Sequence, residues 1–441
     1  MPVNVPLGKP GSPVGSGAIT VSSATAIGVG GMMGAGLYTL VGLAATMAGP
    51  LVPVAFAVGG LVAAFSVYSY AKLGARYPSR GGAAQFLIRC FGDGVISGGL
   101  NVFQFLGWII AMALYAAGFA GYVRALLPWH TPEWSGKAIG IGIIVAVVAV
   151  NLIGTRLVGR AETAIIAAEL VILVAFVVLG LSKSDPARLH AGGGQGWLGV
   201  FFAAGLLFVT YEGFGVVTNS AGEMRDPARQ LPRAMYLSLA IVVAVYVLVS
   251  AVIVMLLSMS AIIADQGHVL SDAGRAALGQ VGFVVIGVAA LLATASGINA
   301  TMFGDANLAY LVATTGEMPK SFARKVWLGG TGGLFAAAAL TALFVLFFPL
   351  SAVGQMASLA FLLIYATVSA GHFRVRRETG ANPLLLGLGV AMNAALFALL
   401  LGYTIHTGPV STWITLIAVL LLSFALEAGY RRVTGRRFVL E

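Results

Sequence analysis

The stretch GVGGMMGAGLYTLVG, residues 28–42, places six glycines in an apolar run that otherwise favours a helix. Glycine costs about 1 kcal/mol against alanine in a helix interior, so this number of glycines needs a reason. Gly30 and Gly34 form a GxxxG pattern, which allows close packing of membrane helices. The alternative is an interruption of the helix itself. A dinucleotide-binding loop is excluded, because the spacing is not GxGxxG and no strand precedes it.

The composition indicates an integral membrane protein. Of 441 residues, 59% are hydrophobic and only 9% are charged, whereas soluble domains carry about 25% charged residues. Twelve apolar stretches are each long enough to cross a bilayer as a helix. We predict an all-α fold with spans near 18–47, 50–72, 95–127, 138–155, 161–182, 196–222, 233–259, 281–314, 326–349, 351–373, 382–403 and 410–430. Residues 1–17, rich in Pro and Gly, are predicted to be a disordered tail, and residues 431–441 a second tail.

The distribution of basic residues predicts the orientation of the chain. The net charge is +10, with 25 Lys and Arg in total. Only five of them fall on the predicted outer side, and the other 20 lie in the tails and the predicted inner loops. The positive-inside rule therefore predicts that both termini are cytoplasmic, in a multi-pass protein of the cell membrane. The positive charge is thus explained by topology, and we expect no nucleic-acid partner. The five basic residues on the predicted outer side are Arg124, Lys137, Lys183, Arg188 and Arg275.

Few residues suggest enzymatic or metal chemistry. Cys90 is the single cysteine, and the five histidines are scattered without metal-ligand spacing. No catalytic triad, P-loop or redox-cofactor motif is present. We therefore expect a protein that is not an enzyme and that has neither a cofactor nor a bound metal.

A second interruption lies in the sixth predicted span, in FVTYEGFG at residues 208–215. With five helices per unit, the first and sixth spans are equivalent members of two repeats, and an odd number of helices inverts the second repeat. We predict repeats at 18–182 and 196–373, with helices at 382–430 outside them. Paired breaks in equivalent helices of inverted repeats point to the midplane binding site of a secondary transporter.

Four stretches together resemble the amino acid–polyamine–organocation superfamily. The first-helix signature is similar to AIGVGGMMGAGLYTLVG (26–42), and the connection between the second and third helices to SYAKLGARYPSRGGAAQFL (69–87). The sixth helix and its inner loop resemble FVTYEGFGVVTNSAGEMRDPARQLPRAM (208–235), and the eighth helix resembles ASGINATMFGDANLAYLVATTGEMPKSF (295–322). The resemblance implies the LeuT-like fold and secondary active transport of amino acids or related amines across the lipid bilayer.

In such a fold, the two breaks form the substrate site. Free amides in the first break face a carboxylate, helped by the dipole of the following half-helix. Free carbonyls in the second break accept hydrogen bonds from an ammonium group. The predicted substrate-binding residues are Gly34, Ala35, Gly36, Leu37, Phe208, Val209, Thr210, Tyr211, Glu212, Gly213 and Phe214.

Two positions of this site depart from the family or vary within it. Val209 stands where the family often has a bulky aromatic that covers the substrate, so either the pocket admits a larger substrate or Phe208, Phe214 or Trp108 provides the cover. Glu212 is an ionisable residue within a predicted membrane span. Such residues are costly to bury there, so they usually indicate a functional site. It binds a second amine of a cationic substrate, or it is a hydrogen-bonded part of a helix junction.

The coupling site shows the largest departure. Many proton-coupled relatives place a lysine of helix 5 near helices 1 and 8, and Glu169 occupies that position here. A protonated Glu169 would donate to a carbonyl of the break, whereas an ionised one would recruit a cation. A purely structural role is the third alternative. We expect a proton as the coupling ion, with sodium as the alternative and Thr294, Ser296 and Asn299 as further candidates.

An inner gate and a mechanism complete the prediction. Glu223, Arg225 and Asp226 follow helix 6 and are predicted to form a cytoplasmic gate, the alternative being a solvated loop. The sequence predicts proton-coupled symport of amino acids by alternating access. The alternatives are a polyamine or amine carrier, an amino acid exchanger, and a non-transporting sensor or channel on the same scaffold.

Overall fold

The structure is a computed structural model that describes residues 19–34, 36–78, 82–129, 131–153, 155–190, 194–314 and 316–434. The predicted tail at 1–17, most of the tail at 431–441 and the site residue Ala35 lie outside these ranges. The described residues form the helices α1 Val21–Met33, α2 Gly36–Ala48, α3 Val52–Arg76, α4 Gly82–Phe91, α5 Val95–Leu126, α6 Glu133–Ile153, α7 Thr155–Leu181, α8 Gly196–Leu207, α9 Pro227–Leu256, α10 Met259–Ala264, α11 Val269–Thr314, α12 Gly332–Phe347, α13 Leu350–Thr379, α14 Pro383–Thr407 and α15 Val410–Thr434.

Shorter elements join these helices. Four 3₁₀ segments occupy Gly49–Leu51, Pro186–His190, Phe208–Glu223 and Lys320–Phe322. Two short strands, β1 Lys325–Trp327 and β2 Gly330–Thr331, pair antiparallel in a hairpin between α11 and α12. We call Phe208–Glu223 the long 3₁₀ segment, because its sixteen residues far exceed the three or four that are usual for this helix type.

The all-α membrane fold predicted from composition is confirmed. Among the described residues, ten helical stretches are long and apolar enough to cross a membrane. One of them, 36–76, joins α2 and α3 through the turn at Gly49, which has a positive φ of 60°. The helices α1 and α12 are apolar but shorter than the others. The count of twelve spans stays a prediction.

Two span boundaries differ from the sequence prediction. The ninth span was expected from 326, but residues 325–331 form the hairpin and α12 begins at Gly332, after the Thr331 side chain caps the Leu334 amide. The helix α11 begins at Val269 rather than 281, and it bends at Gly279, where φ is 69°. Only glycine adopts that conformation at little steric cost, so the bend depends on this residue.

Packing brings both predicted interruptions into the centre of the molecule. The helix α1 lies against the long 3₁₀ segment and α9, α11 lies along α5, and α13 borders α5, α14 and α8. The helix α14 packs on the outside of α13 and α8, and α15 lies against α5. The central elements are thus enclosed by other helices.

One face of the molecule is identified by two contacts. The Asn101 amide at the start of α5 donates to Glu317 Oε2 just after α11, over 2.8 Å. Arg431 near the end of α15 lies 2.7 Å from the Asp93 carboxylate, just before α5. We call this side, which carries the ends of α11 and α15, the inner face, because the charge distribution predicts it to be cytoplasmic.

Candidate functional site

The interruption predicted in the first helix lies between α1 and α2. The helix α1 ends at Met33, and α2 begins at Gly36. The freed carbonyl of Met32 accepts a hydrogen bond of 2.7 Å from the Tyr246 hydroxyl of α9. Gly34 lies against α11, since a Cβ there would be 3.1 Å from Gly297 Cα. Side chains and backbone of distant helices therefore support this break.

The second interruption takes the form of a change in helix type. The helix α8 ends at Leu207 and continues as the long 3₁₀ segment. Three of the backbone groups there have side-chain partners from α13. The Ser358 hydroxyl donates to the Leu206 carbonyl and accepts from the Val209 amide at 3.3 Å, and Tyr365 donates to the Glu212 carbonyl at 2.9 Å. The polar backbone in the middle of the bundle is thus satisfied from α13, as burial requires.

The two interruptions are in direct contact. A Cβ on Gly36 would lie 2.6 Å from Thr210 Cβ, and a Cβ on Gly213 would lie 2.0 Å from the carbonyl carbon of Gly31. The Tyr246 hydroxyl also approaches the Thr210 carbonyl at 3.4 Å. The predicted substrate residues from the two breaks, apart from Ala35, are therefore adjacent in the structure. Their binding role stays a prediction.

Glu212 is a buried acid within the long 3₁₀ segment, with 2% of its surface exposed. No hydrogen bond to its carboxyl group is found within the described residues. Three tyrosines from three helices lie within electrostatic range of it: Tyr70 of α3, Tyr115 of α5 and Tyr365 of α13. Among the described residues, no cationic side chain lies within electrostatic range of this carboxyl group.

A cluster of aromatic rings borders the same segment. Phe214 stacks on Tyr365 with ring centroids 4.9 Å apart, and Phe208 meets the same ring at 5.7 Å. Tyr70 contacts both Phe214 and Tyr365. Trp108 packs edge-on against Phe361, a neighbour of Tyr365 in α13. Phe208 and Phe214, two of the proposed covers for the substrate, thus belong to one packed cluster, and Trp108 joins it through Phe361.

Glu169 is buried in α7 on the side of the first break. Its exposed fraction is 3%, and its Oε1 atom has no hydrogen-bond partner among the described residues. Tyr38 of α2 and Tyr246 of α9 both lie within electrostatic range of its carboxyl group. Tyr246 also bonds the Met32 carbonyl, so Glu169 and the first break have this tyrosine as a common neighbour.

The other predicted ion-coupling residues occupy α11. The Thr294 hydroxyl bonds its own helix at the Ala290 carbonyl, over 2.7 Å. The Asn299 amide oxygen accepts from Asn151 of α6 at 2.9 Å, so this oxygen faces α6. Ser296 is half-buried. Their part in ion binding stays a prediction.

The predicted inner gate lies where the long 3₁₀ segment ends and α9 begins. Asp226 forms an ion pair of 3.8 Å with Arg229, one helical turn away, and both side chains are largely exposed. The Asp226 amide also donates to Gln230. Arg225 is exposed, and Glu223 is half-buried. This ion pair is thus local to the start of α9, and a gating role stays a prediction.

Comparison with known families decides the identity of the chain. A family model described as amino acid permease matches residues 19–428. The match covers both interruptions and continues through α15. The chain belongs to the amino acid permease family.

Relatives extend over nearly the whole permease chain. An uncharacterized protein of Methanocaldococcus jannaschii is 34% identical over 428 residues, covering 95% of this chain and 97% of the relative. The inner membrane transport protein YbaT of Escherichia coli is 31% identical, covering 92% and 94%. Human cationic amino acid transporter 4 is 29% identical, covering 81% of this chain and 60% of its own. The chain is therefore a multi-pass membrane transporter of this family.

Three residues of this permease site were missed by sequence reasoning: Tyr246, Ser358 and Tyr365. They stabilise the freed carbonyls, yet they lie in α9 and α13, which the sequence marked only as apolar spans. A signal exists for Tyr246, since it is a lone aromatic in AIVVAVYVLVSAVIV, residues 240–254. A buried tyrosine needs a partner for its hydroxyl, and unwound backbone is a source of free carbonyls.

Proposed function

We propose that this permease is a proton-coupled symporter of amino acids that binds its substrate between the two helix interruptions. The observation that carries the proposal is the contact of the two breaks, Gly36 against Thr210, with Tyr246 bonded to carbonyls on both sides. A zwitterion supplies one group for each break: its carboxylate suits the amides at the start of α2, and its ammonium suits carbonyls of the long 3₁₀ segment.

Coupling is assigned to Glu169. A buried acid without a basic partner is stable at membrane depth when it is protonated, and a proton is the smallest cation that it can exchange. Tyr38 and Tyr246 both lie within electrostatic range of Glu169. Tyr38 belongs to α2, and Tyr246 bonds the Met32 carbonyl of α1, so the two tyrosines lie on both sides of the first break. Loss of the proton would leave a buried negative charge beside Tyr38 and Tyr246, the two tyrosines at the first break, which favours a rearrangement of α1. Proton release and the closing of the substrate site are then linked.

A second candidate function, transport of cationic amino acids or amines, is favoured by Glu212. This carboxyl group lies within the segment that would bind the ammonium, and among the described residues no cationic partner faces it. It would attract a second ammonium on the substrate side chain. One relative is named a cationic amino acid transporter, which is consistent with this possibility.

Uptake into proteoliposomes tests the proposal. Purified protein is reconstituted, and accumulation of a panel of neutral, cationic and anionic amino acids and of polyamines is measured under a pH gradient and, separately, under a sodium gradient. We expect accumulation driven by the pH gradient. Accumulation that follows only sodium would overturn proton coupling. Uptake only into vesicles preloaded with amino acid would indicate an exchanger, and absence of any flux would favour a sensor.

A further inference from the structure

The hairpin between α11 and α12 exposes three consecutive bulky apolar residues, which we call the hairpin tip: Val326, Trp327 and Leu328. Their exposed fractions are 65%, 62% and 67%. An uninterrupted exposed apolar run in a loop is unfavourable in water and indicates an interaction surface. The hairpin tip lies outside both helix interruptions and has no part in the proposed transport cycle.

The base of the hairpin is fixed at the end of two helices. A Cβ on Gly330 would lie 2.6 Å from Leu152 at the end of α6, and the helix α12 begins at Gly332. The Gly332 amide donates to the Arg324 carbonyl at 2.9 Å, which closes the hairpin. Ile153, next to Leu152, is 87% exposed. The base of the hairpin therefore lies at the end of α6 and the start of α12.

The surroundings of the hairpin tip are positively charged. Lys320, Arg324 and Lys325 precede it, and all three side chains are exposed. The segment 318–335 contains no acidic residue. The hairpin follows Glu317, which contacts α5, so it belongs to the inner face. An apolar surface with a tryptophan, flanked by cations, matches the boundary of an anionic leaflet in both polarity and charge.

We propose that the hairpin tip inserts into the headgroup region of the inner leaflet and binds anionic lipid. Trp327 and its apolar neighbours enter the boundary between headgroups and acyl chains, where tryptophan is enriched. Lys320, Arg324 and Lys325 bind the lipid phosphates. Basic residues beside a leaflet attract anionic lipid by electrostatics that decay within a Debye length, so the contact weakens in high salt.

A single fluorescent label tests this insertion. The chain has one cysteine, so a Cys90→Ala background with Val326→Cys accepts one nitrobenzoxadiazole label while Trp327 is kept. The labelled protein is placed, one copy per disc, in nanodiscs of phosphatidylcholine or of an equimolar mixture with phosphatidylglycerol. We expect a blue-shifted emission and a several-fold lower quenching constant for the neutral aqueous quencher acrylamide in the anionic discs, with partial reversal in high salt.

Matched variants separate the contributions. Arg229→Cys, a label site on an exposed side chain near the inner face, is expected to be quenched equally in both discs. Adding Trp327→Ser to the Val326→Cys protein is expected to raise acrylamide quenching in both lipids. Replacing Lys320, Arg324 and Lys325 by glutamine is expected to remove the difference between the two lipids.

Two results would overturn the proposal. The first is acrylamide quenching at residue 326 that equals quenching at residue 229 in both kinds of disc. The second is protection that develops only in vesicles crowded with protein and is absent from single-copy discs, because the hairpin tip would then bind a second copy of the chain.

Discussion

At the scale of a single residue, Glu169 combines three properties. It is acidic, it is buried, and its Oε1 atom has no hydrogen-bond partner within the described residues. Its position facing Tyr38 and Tyr246 sets it apart from Glu427, another fully buried acid, which packs against Gly98 on the far side of α5. The two acids allow the same chemical change to be made inside and outside the proposed coupling site.

For Glu169→Gln we expect loss of accumulation driven by a pH gradient, because an amide cannot exchange a proton. Exchange of labelled for unlabelled substrate across the vesicle membrane is expected to remain, because the helix interruptions are intact. The measurement compares both fluxes in proteoliposomes. Glu427→Gln serves as the control and is expected to keep proton-driven accumulation. Full proton-driven accumulation by the Glu169 variant would exclude this residue from coupling.

For Glu212→Gln we expect a change in selectivity. A carboxylate facing a substrate ammonium in a desolvated site contributes about 1.4 kcal/mol or more, so uptake of cationic relative to neutral substrates falls by about tenfold. The ratio of kcat/KM values for lysine and leucine measures the effect. An unchanged ratio would leave Glu212 with a structural role at the helix junction.

At the scale of elements, the contact between α1 and the long 3₁₀ segment depends on backbone approaching backbone. Gly213 is the closest point, where a Cβ would overlap the carbonyl carbon and oxygen of Gly31. Membrane helices lack a hydrophobic driving force against each other, so close van der Waals packing of this kind stabilises their association. The contact is therefore both a structural support and the place where the two interruptions join.

We expect Gly213→Ala to separate α1 from the long 3₁₀ segment and to lower the melting temperature of the purified protein, because overpacking costs about 1–3 kcal/mol. Gly215→Ala is the matched control, since a Cβ there would meet its nearest neighbour, the Tyr365 hydroxyl, at an ordinary 3.6 Å. Thermal unfolding followed by tryptophan fluorescence compares the two variants. Equal melting temperatures would contradict a close-packed contact at residue 213.

The elements were predicted from sequence to different degrees. Apolar run length gave the membrane helices, and the glycines at 34 and 36 gave the first break, because both signals are local. The interruption at 208–215 was predicted, but its 3₁₀ form and its extension to residue 223 were not, because its backbone groups are bonded by side chains of α13 and α9. Ser358 and Tyr246 are distant in the chain, and nothing in their own spans indicates which carbonyls they meet. The predicted span 326–349 includes most of the hairpin, because the apolar residues of the hairpin tip continue the apolar character of α12.

At the scale of the whole molecule, the turn between α10 and α11 connects distant helices at the end opposite the inner face. The Gln266 carbonyl packs against Gly42 of α2, and His268 bonds Asp272 at 2.7 Å. Burial lowers the pKa of His268, but the hydrogen bond that the imidazole makes to the Asp272 carboxylate and the charges of Asp272 and Asp265 outweigh it, so the pKa lies above its ordinary value of 6.5.

We expect stability to depend on pH through His268. Its folded pKa is raised, so its contribution is fully present below the unfolded value of 6.5 and is lost as pH rises through the folded pKa. The difference in melting temperature between wild type and His268→Gln is therefore expected to be largest below pH 6.5 and to shrink as pH rises through the raised folded pKa. His406→Gln, an exposed histidine of α14, is the control. A difference that grows with pH would contradict the direction of the shift.

The long 3₁₀ segment is longer than an α-helix with the same number of residues would be. A 3₁₀ helix rises about 2.0 Å per residue and an α-helix about 1.5 Å, so sixteen residues measure about 32 Å in the first form and about 24 Å in the second. Rewinding would shorten this stretch by about 8 Å and turn one end relative to the other. A change of helix type would thus couple shortening to rotation between the two ends of the segment. Ser358 bonds the first end, and α9 begins after the second. Spectroscopic distances between labels at these anchors would record that travel directly.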